Sequence, residues 1–322
     1  MTFNGKAISR NELFVFLGKY GTIIILGAMI VCFSILLPAF RSGQNLLNLL
    51  GQTAILSIFA AGMTCCLKMG DFDLSIGATA TLTAIVVANL LLNGYGITVA
   101  ITGGLLAGAL VGLLNGILVA YMGLDALVCT LASGSIVAGL AMGITKGVSL
   151  WDLPVAFEFI GRGELFGIPN RFIIMILLLI VIWFFHAYTP TGRRMEAIGG
   201  NKEASKLSGI NVDRNRFLGL LLSAICAAIA GVVLCSSVMS ANATLGLNYV
   251  LDAFGACFIG AATIRIGQFH IWGTFVGVLI VVVAVNGLII MMVPGYLTDM
   301  IRGIILLLAI FMSGTVGKML AR

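Results

Sequence analysis

The run ITVAITGGLLAGALVGLLNGILVAYM, residues 97–122, contains no charged side chain and no proline. A helix needs roughly 20 apolar residues to cross the hydrocarbon core of a bilayer, and this run is long enough. Gly104, Gly108, Gly112 and Gly116 recur in it at every fourth position. In a helix they form one smooth ridge against which another backbone can pack closely. Taken alone, the ridge fits ordinary membrane-helix packing as well as a tight bundle around a pathway. Gly139, Gly143 and Gly147, and Gly273 and Gly277, read the same way in later runs. Other apolar runs, broken at Gly, Pro, Asn and charges, lie near 20–40, 46–68, 74–92, 124–145, 168–188, 217–239, 251–263, 271–293 and 295–312. The expected fold is all-α: a polytopic transmembrane helical bundle of about ten spans, forming a single domain over residues 1–322. The short eighth run, 251–263, reads as tilted, broken or re-entrant.

Composition excludes a water-soluble domain. Hydrophobic residues make up 60% of 322 positions and charged residues 9%, against about 25% charged in a soluble chain. Lipid can cover so much apolar surface; water cannot. Residues 1–19 are polar and basic, and the run after them is too long for a signal-peptide core, so the first span is expected to stay in the mature protein. The seven cysteines, Cys32, Cys65, Cys66, Cys129, Cys226, Cys235 and Cys257, all lie in apolar runs without metal-ligand spacing. They read as small buried hydrophobes.

The net charge of +6 follows topology and does not indicate nucleic acid. With the N-terminus inside, the cytoplasmic face holds Lys6, Arg10, Lys19, Lys68, Arg265, Lys318, Arg322 and the six basic residues of 189–216. The opposite face holds only Arg41, Lys146, Arg162, Arg171 and Arg302. Cytoplasmic loops carry such an excess of Lys and Arg. Six spans precede the loop 189–216 and four follow it, so it shares a side with both termini. A five-span offset relates Asn115-Gly116 to Asn286-Gly287, and Asp73 to Asp252. Spans 2–5 and 7–10 therefore read as an inverted repeat, a common transporter plan.

No catalytic constellation is visible. The chain lacks the phosphate-binding G-x-x-x-x-G-K-[ST], as well as H-E-x-x-H and G-x-S-x-G, so it is expected to be neither an ATPase nor another enzyme, and to bind no metal or cofactor itself. His186 and His270 stand singly at span ends. Asp71 and Asp73 precede the third span, Asp125 begins the fifth and Asp252 the eighth. A carboxylate there caps free N–H groups or couples transport to an ion. Asp299 and Arg302, three apart, read as a pair. Within the spans the polar residues are mostly neutral: Asn89, Asn115, Thr130, Ser133, Ser135, Ser223, Ser236, Ser237 and Asn286. Any that line a path suit an uncharged, hydroxylated solute. Asp73, Ser75, Asn115, Thr130, Asp252 and Asn286 are the candidate path or gating residues.

The loop 189–216 is the most informative segment for function. Asn201 is a good N-cap and Gly209 a good residue just past a helix end. Between them Lys202–Ser208 gives about two turns, with Glu203 and Lys206 placed to suit the dipole. Ala204 and Leu207 share a stripe. The segment reads either as a displayed amphipathic helix that docks on a partner, or as a solvated basic loop.

Gly192-Arg193, Ala197-Ile198-Gly199-Gly200-Asn201, Glu203-Ala204 and Leu207-Ser208-Gly209-Ile210 resemble the cytoplasmic signature of the ribose-type permeases of bacterial ABC importers. Asp73-Leu74-Ser75-Ile76-Gly77, Asn115-Gly116, Thr130-Leu131, Leu251-Asp252, Ile259-Gly260, Gly273-Thr274 and Asn286-Gly287 agree in order and spacing over residues 45–312. The resemblance implies a permease subunit in the inner membrane that works as a pair, with a second copy or a homologue. Separate ATP-binding cassette subunits, using ATP and Mg, would dock at Gly200, Asn201, Glu203, Ala204, Leu207 and Gly209. An extracytoplasmic solute-binding protein would deliver a monosaccharide or related solute. The chain departs from the pattern at Lys68 and Asp71, at Asp125-Ala126, and around 261–270, which bears on the solute more than on the fold. The alternative is an ion-coupled secondary transporter, which would need no ATPase and would depend on Asp73 or Asp252.

Overall fold

The computed structural model of the chain describes residues 2–3, 6–7, 10–265 and 267–320, with side chains for 20–265 and 267–311. The side chains of Lys6, Arg10, Lys19, Lys318 and Arg322, and with them most of the 1–19 segment expected in the cytoplasm, lie outside the described residues.

Helix dominates. Strands β1 (Thr2–Phe3) and β2 (Lys6–Ala7) form a minimal antiparallel hairpin. Helix α1 covers Arg10–Leu36, and a 3-10 turn over Pro38–Arg41 leads to α2, Gly43–Leu67. Then come α3 (Ile76–Leu92), α4 (Ile97–Gly116, extended by a π-helical turn Ile117–Tyr121) and α5 (Ala126–Thr145). A short irregular segment carries a 3-10 turn (Val155–Phe157), α6 (Glu158–Gly161) and the antiparallel hairpin β3 (Glu164–Leu165) and β4 (Ile168–Pro169). The chain continues through α7 (Asn170–Tyr188), α8 (Pro190–Gly200), α9 (Lys202–Leu207) and α10 (Val212–Val238). It ends with α11 (Tyr249–Ala261), α12 (Ile271–Ile290) and α13 (Gly295–Leu320).

All ten apolar runs fall on helices. Among the described residues six helical stretches are long and apolar enough to cross a membrane: Gly43–Leu67, Ile97–Tyr121, Ala126–Thr145, Asn170–Tyr188, Val212–Val238 and Ile271–Ile290. Tyr20–Leu36, Ile76–Leu92 and Tyr249–Ala261 are shorter apolar helices. The chain divides into two compact units, one of Met1–Leu49 with Phe254–Arg322, the other of Leu50–Ala253.

In the larger unit, α3, α4 and α10 pack most closely, and the glycine ridge of α4 explains how. A Cβ at Gly104 would come 2.5 Å from Val87 of α3; at Gly108, 2.6 Å from the Ala228 Cβ of α10; at Gly112, 2.5 Å from the Ala224 Cβ; and at Gly116, 2.7 Å from the Phe217 ring. Gly108, Gly112 and Gly116 thus seat α4 on α10, with Ala and Phe as their counterparts, and Gly104 seats it on α3. Gly139 and Gly143 of α5 differ from expectation. A Cβ at either would meet nothing within 4 Å in the chain, because that face of α5 points outward with Ile136 and Leu140. Gly147 has φ +75° and serves the turn that ends α5.

The irregular segment after α5 is pinned to the end of α10. Ser236 Oγ donates to the Phe157 carbonyl (2.6 Å) and accepts from Gly161 N–H (2.8 Å). Arg162 donates from Nε to the Ser237 carbonyl at 2.7 Å and from Nη2 to the Val238 carbonyl at 3.2 Å. Leu150 and Ala241 exchange backbone bonds. Ser236 and Ser237, possible path residues by sequence, are therefore anchors.

In the smaller unit, Asn45 and Asn286 exchange side-chain amide bonds at 2.9 and 3.1 Å, both buried. Gly287, beside Asn286, lies under the Phe33 ring, and Thr263 donates to Thr22 at 2.7 Å. The close approach of α11 and α12 needs Gly260 and Gly277, whose Cβ positions are taken by backbone atoms of Gly273–Thr274 and Ala256. His270 is a cap: its Nδ1 accepts from Gly273 N–H at 2.8 Å, and its Nε2 lies 3.1 Å from the Thr263 carbonyl and donates to it. Asp299 and Arg302 pair at 3.5 Å, as their spacing predicts. Six cysteines are buried, whereas Cys32 is exposed on α1.

Interhelical amide pairs in membranes contribute about 0.6–2 kcal/mol. Asn286→Leu is expected to lower the melting temperature of the detergent-purified chain, because it strands Asn45 Oδ1, although Asn45 Nδ2 keeps its bond to the Phe40 carbonyl at 2.9 Å. The double replacement Asn45→Leu with Asn286→Leu should melt higher than that single variant. Equal melting of the two would refute a reciprocal pair.

Candidate functional site

The segment Lys68–Ser75 joins α2 to α3 and gathers the buried aspartates of the larger unit. Asp71 forms a two-pronged ion pair with Arg216 of α10, at 2.7 and 2.8 Å, with both residues buried. Arg216 also donates to the Val119 carbonyl at 3.1 Å, in the π-helical turn that ends α4. A buried guanidinium is tolerable only with such full pairing. Two residues on, Asp73 Oδ1 accepts from the Ser75 N–H at 3.0 Å and from its hydroxyl at 2.6 Å. Burial raises the Asp73 carboxyl from its ordinary value, and the neighbouring Ser75 and Ser223 hydroxyls act the other way.

Neither aspartate is the helix cap expected from its position. The cap position of α3 is Ser75, without a side-chain cap bond. Asp71 is drawn off by Arg216, and Asp73 closes a local turn. Asp125 does cap, accepting from Val128 N–H at 3.0 Å. Asp252 falls inside the first turn of α11, where its charge suits the dipole but it is no cap.

Four of the six candidate path residues come together. Asn115 Nδ2 donates to Ser75 Oγ at 2.9 Å. Thr130 Oγ1 accepts from Leu74 N–H at 3.0 Å and donates to the Ala126 carbonyl at 2.7 Å. Asp73, Ser75, Asn115 and Thr130 thus form one buried network over the starts of α3 and α5 and the end of α4. Asn115 Oδ1 is buried there without a hydrogen-bond partner in the chain, while Asp73 Oδ2 and the Ser223 hydroxyl act on each other but make no well-formed hydrogen bond. Such orphan atoms cost about 1–3 kcal/mol each and mark strain or function. Asn286 is paired with Asn45 in the smaller unit, and Asp252 stands in the first turn of α11.

The loop 189–216 is more helical than expected. Thr189 caps α8, accepting from Gly192 N–H at 3.1 Å, and Pro190 occupies the first turn, where its missing N–H costs nothing. Asn211 likewise caps α10 through Arg214 N–H at 2.9 Å, so Arg214 and Arg216 belong to that helix and not to the loop. Asn201 caps α9 through Ala204 N–H at 2.9 Å, and Gly209 takes φ +79° just past its end. That part follows the sequence reading closely. Gly200, Asn201, Glu203, Ala204, Leu207 and Gly209 are all exposed, and Leu207 is 89% accessible.

Helix α8 grips the end of α2. Glu196 pairs with Lys68 at 3.0 Å. The Cβ position of Gly199 is occupied by the Lys68 carbonyl, so only glycine allows this approach. Met195 and Ile198 cluster with Met69 and Val212. Sequence reasoning missed the Asp71–Arg216 and Lys68–Glu196 pairs. The available signal was four charges at the borders of apolar runs on one predicted face.

The chain matches the family model described as "Branched-chain amino acid transport system / permease component" over residues 45–310. It is 36% identical to the ribose import permease RbsC of Bacillus subtilis, covering 92% of each chain. It is 32% identical to the ribose import permease of Haemophilus influenzae, over 94% of this chain and 95% of the other. To the L-arabinose transport system permease AraH of Escherichia coli it is 32% identical, over 91% and 89%. The chain therefore belongs to the permease-component family of these transport systems, with ribose-type sugar permeases among its relatives.

Proposed function

We propose that this chain is the membrane-spanning permease subunit of an ATP-binding-cassette importer for a monosaccharide or a related small neutral solute. In this reading it is a single permease domain of about ten spans in the cytoplasmic (inner) membrane, with both termini and residues 189–216 inside. Spans 2–5 and 7–10 form an inverted repeat. Local support comes from Asn115-Gly116 and Asn286-Gly287: each asparagine is buried and hydrogen-bonded through its side-chain amide, to the Ser75 hydroxyl and to Asn45 respectively, and each glycine lies under a phenylalanine ring. Two permease subunits make the pathway, a solute-binding protein feeds it from outside, and cassette subunits drive it with ATP and Mg. Asp73, Ser75, Asn115, Thr130, Asp252 and Asn286 are the proposed path or gating residues, the first four being joined in one buried network.

The observation that carries the reading is the capped helix α9, which displays Leu207 to solvent. Burying a leucine gains about 1.5–3 kcal/mol, so an exposed one on a rigid, capped turn suits a docking groove on a partner. Relatives named for ribose and arabinose favour a sugar over an amino acid. The test is co-purification of the tagged chain with its cassette ATPase, followed by ATP-dependent uptake of labelled ribose in proteoliposomes. Leu207→Glu is expected to weaken ATPase capture about tenfold or more, as loss of an interface anchor does, with the chain still folded. Uptake by the chain alone, collapsing with an ion gradient, would sink the importer reading.

A further inference from the structure

We infer that the segment Lys68–Ser75 is the transmission element of this permease, and that Asp71 and Glu196 are positioning residues that tie the docking helices to the buried network around Asp73. The inference rests on the permease reading.

The segment is held from two sides by different parts of the unit. At its start, Lys68 is paired with Glu196 at 3.0 Å, its carbonyl fills the place of a side chain on Gly199, and Met69 packs on Met195 and Ile198. All these partners lie on α8, which is separated from α9 only by Asn201. At its other end, Leu74 N–H and Ser75 Oγ bond Thr130 of α5 and Asn115 of α4. Between them, Asp71 bonds Arg216, which also holds the last turn of α4 through the Val119 carbonyl.

The two ends differ in how completely they are satisfied. The near end combines an ion pair, apolar packing and a backbone contact that tolerates no side chain. The far end leaves Asn115 Oδ1 unmatched, and Asp73 Oδ2 and the Ser223 hydroxyl without a well-formed bond. A displacement of α8 is therefore carried into the segment rather than absorbed at the grip. It reaches a network whose unmatched atoms are costly as they stand, so that a second arrangement that pairs them offsets part of the cost of moving. Coupling between distant sites needs such an element with two arrangements, biased by one site and read by the other.

The test measures solute imported per ATP hydrolysed by the full complex, together with the amount of assembled complex. The variants are Arg216→Lys, which keeps the charge but loses the fork geometry, and Glu196→Lys on the half-exposed rim. Each is expected to lower the ratio about fivefold or more, the lower range of measured couplings, while ATPase subunits remain bound. Lys68→Glu combined with Glu196→Lys should restore it. If Arg216→Lys fails to assemble, the Glu196→Lys pair decides alone. The inference is overturned if uptake and ATP hydrolysis fall together, in proportion to assembled complex, with the ratio unchanged. A wild-type chain that binds no ATPase and shows no ATP-dependent uptake would instead overturn the permease reading itself.

Discussion

Arg216→Ala is expected to destabilise the chain by about 3–5 kcal/mol, the cost of stranding one member of a buried ion pair. The variant leaves the Asp71 carboxylate in place, buried, with both its oxygens stripped of the guanidinium that now lies 2.7 and 2.8 Å away. It also frees the Val119 carbonyl at a π-helical turn whose own ladder is irregular. The double variant Arg216→Met with Asp71→Leu should recover most of the loss, because a matched apolar pair carries no desolvation penalty. Thermal unfolding of the detergent-purified proteins separates these cases. A single variant as stable as wild type would show the pair to be dispensable, and a double variant worse than the single would show that Asp71 holds more than its partner.

Gly112→Leu should be comparably severe for a different reason. The new Cβ would sit 2.5 Å from the Ala224 Cβ, 3.2 Å from the Leu221 Cα and 3.3 Å from the Leu220 carbonyl. Two of these atoms are backbone and cannot step aside, so α4 must separate from α10 along a face that also includes Gly108 and Gly116. Overpacking costs typically 1–3 kcal/mol and sometimes more; here a loss of monodisperse protein on purification is expected. Gly139→Leu is the matched control, since that position meets nothing within 4 Å in the chain. It should change the stability of the isolated chain by no more than about 0.5 kcal/mol. Equal yields for the two variants would remove the ridge from the account of packing.

Much of this was legible in the sequence because it depends on local rules. Apolar runs report helices directly, since in lipid a helix satisfies its own backbone. The Asn201 cap and the Gly209 terminus of α9 depend on a few neighbouring residues, and they emerged as expected. What was not legible depends on partners far away along the chain. Asp71 and Asp125 look alike as carboxylates before apolar runs, yet one caps a helix and the other answers an arginine 145 positions away. Gly108 and Gly143 are equivalent as letters, but only one faces a neighbouring helix. Of the candidate path residues, Asp73, Ser75, Asn115 and Thr130 converge because three helix ends meet there. Asn286 is instead bonded to Asn45 of α2, a partner 241 positions away that no local pattern could name.

Helix α10 has a mechanical consequence of its own. It is 27 residues long and contains no proline, so at 1.5 Å per residue it is a rod of about 40 Å. Arg216, within its first turns, clamps the rod to Asp71 and the end of α4, and Ser236 with Ser237 holds the irregular segment Phe157–Arg162 at its far tip. A stiff rod fixed to a clamp at one end and a platform at the other cannot tilt at one without sweeping through an arc at the other. Whatever settles on the platform and whatever pulls on the clamp therefore work against the same beam, and each feels the load of the other.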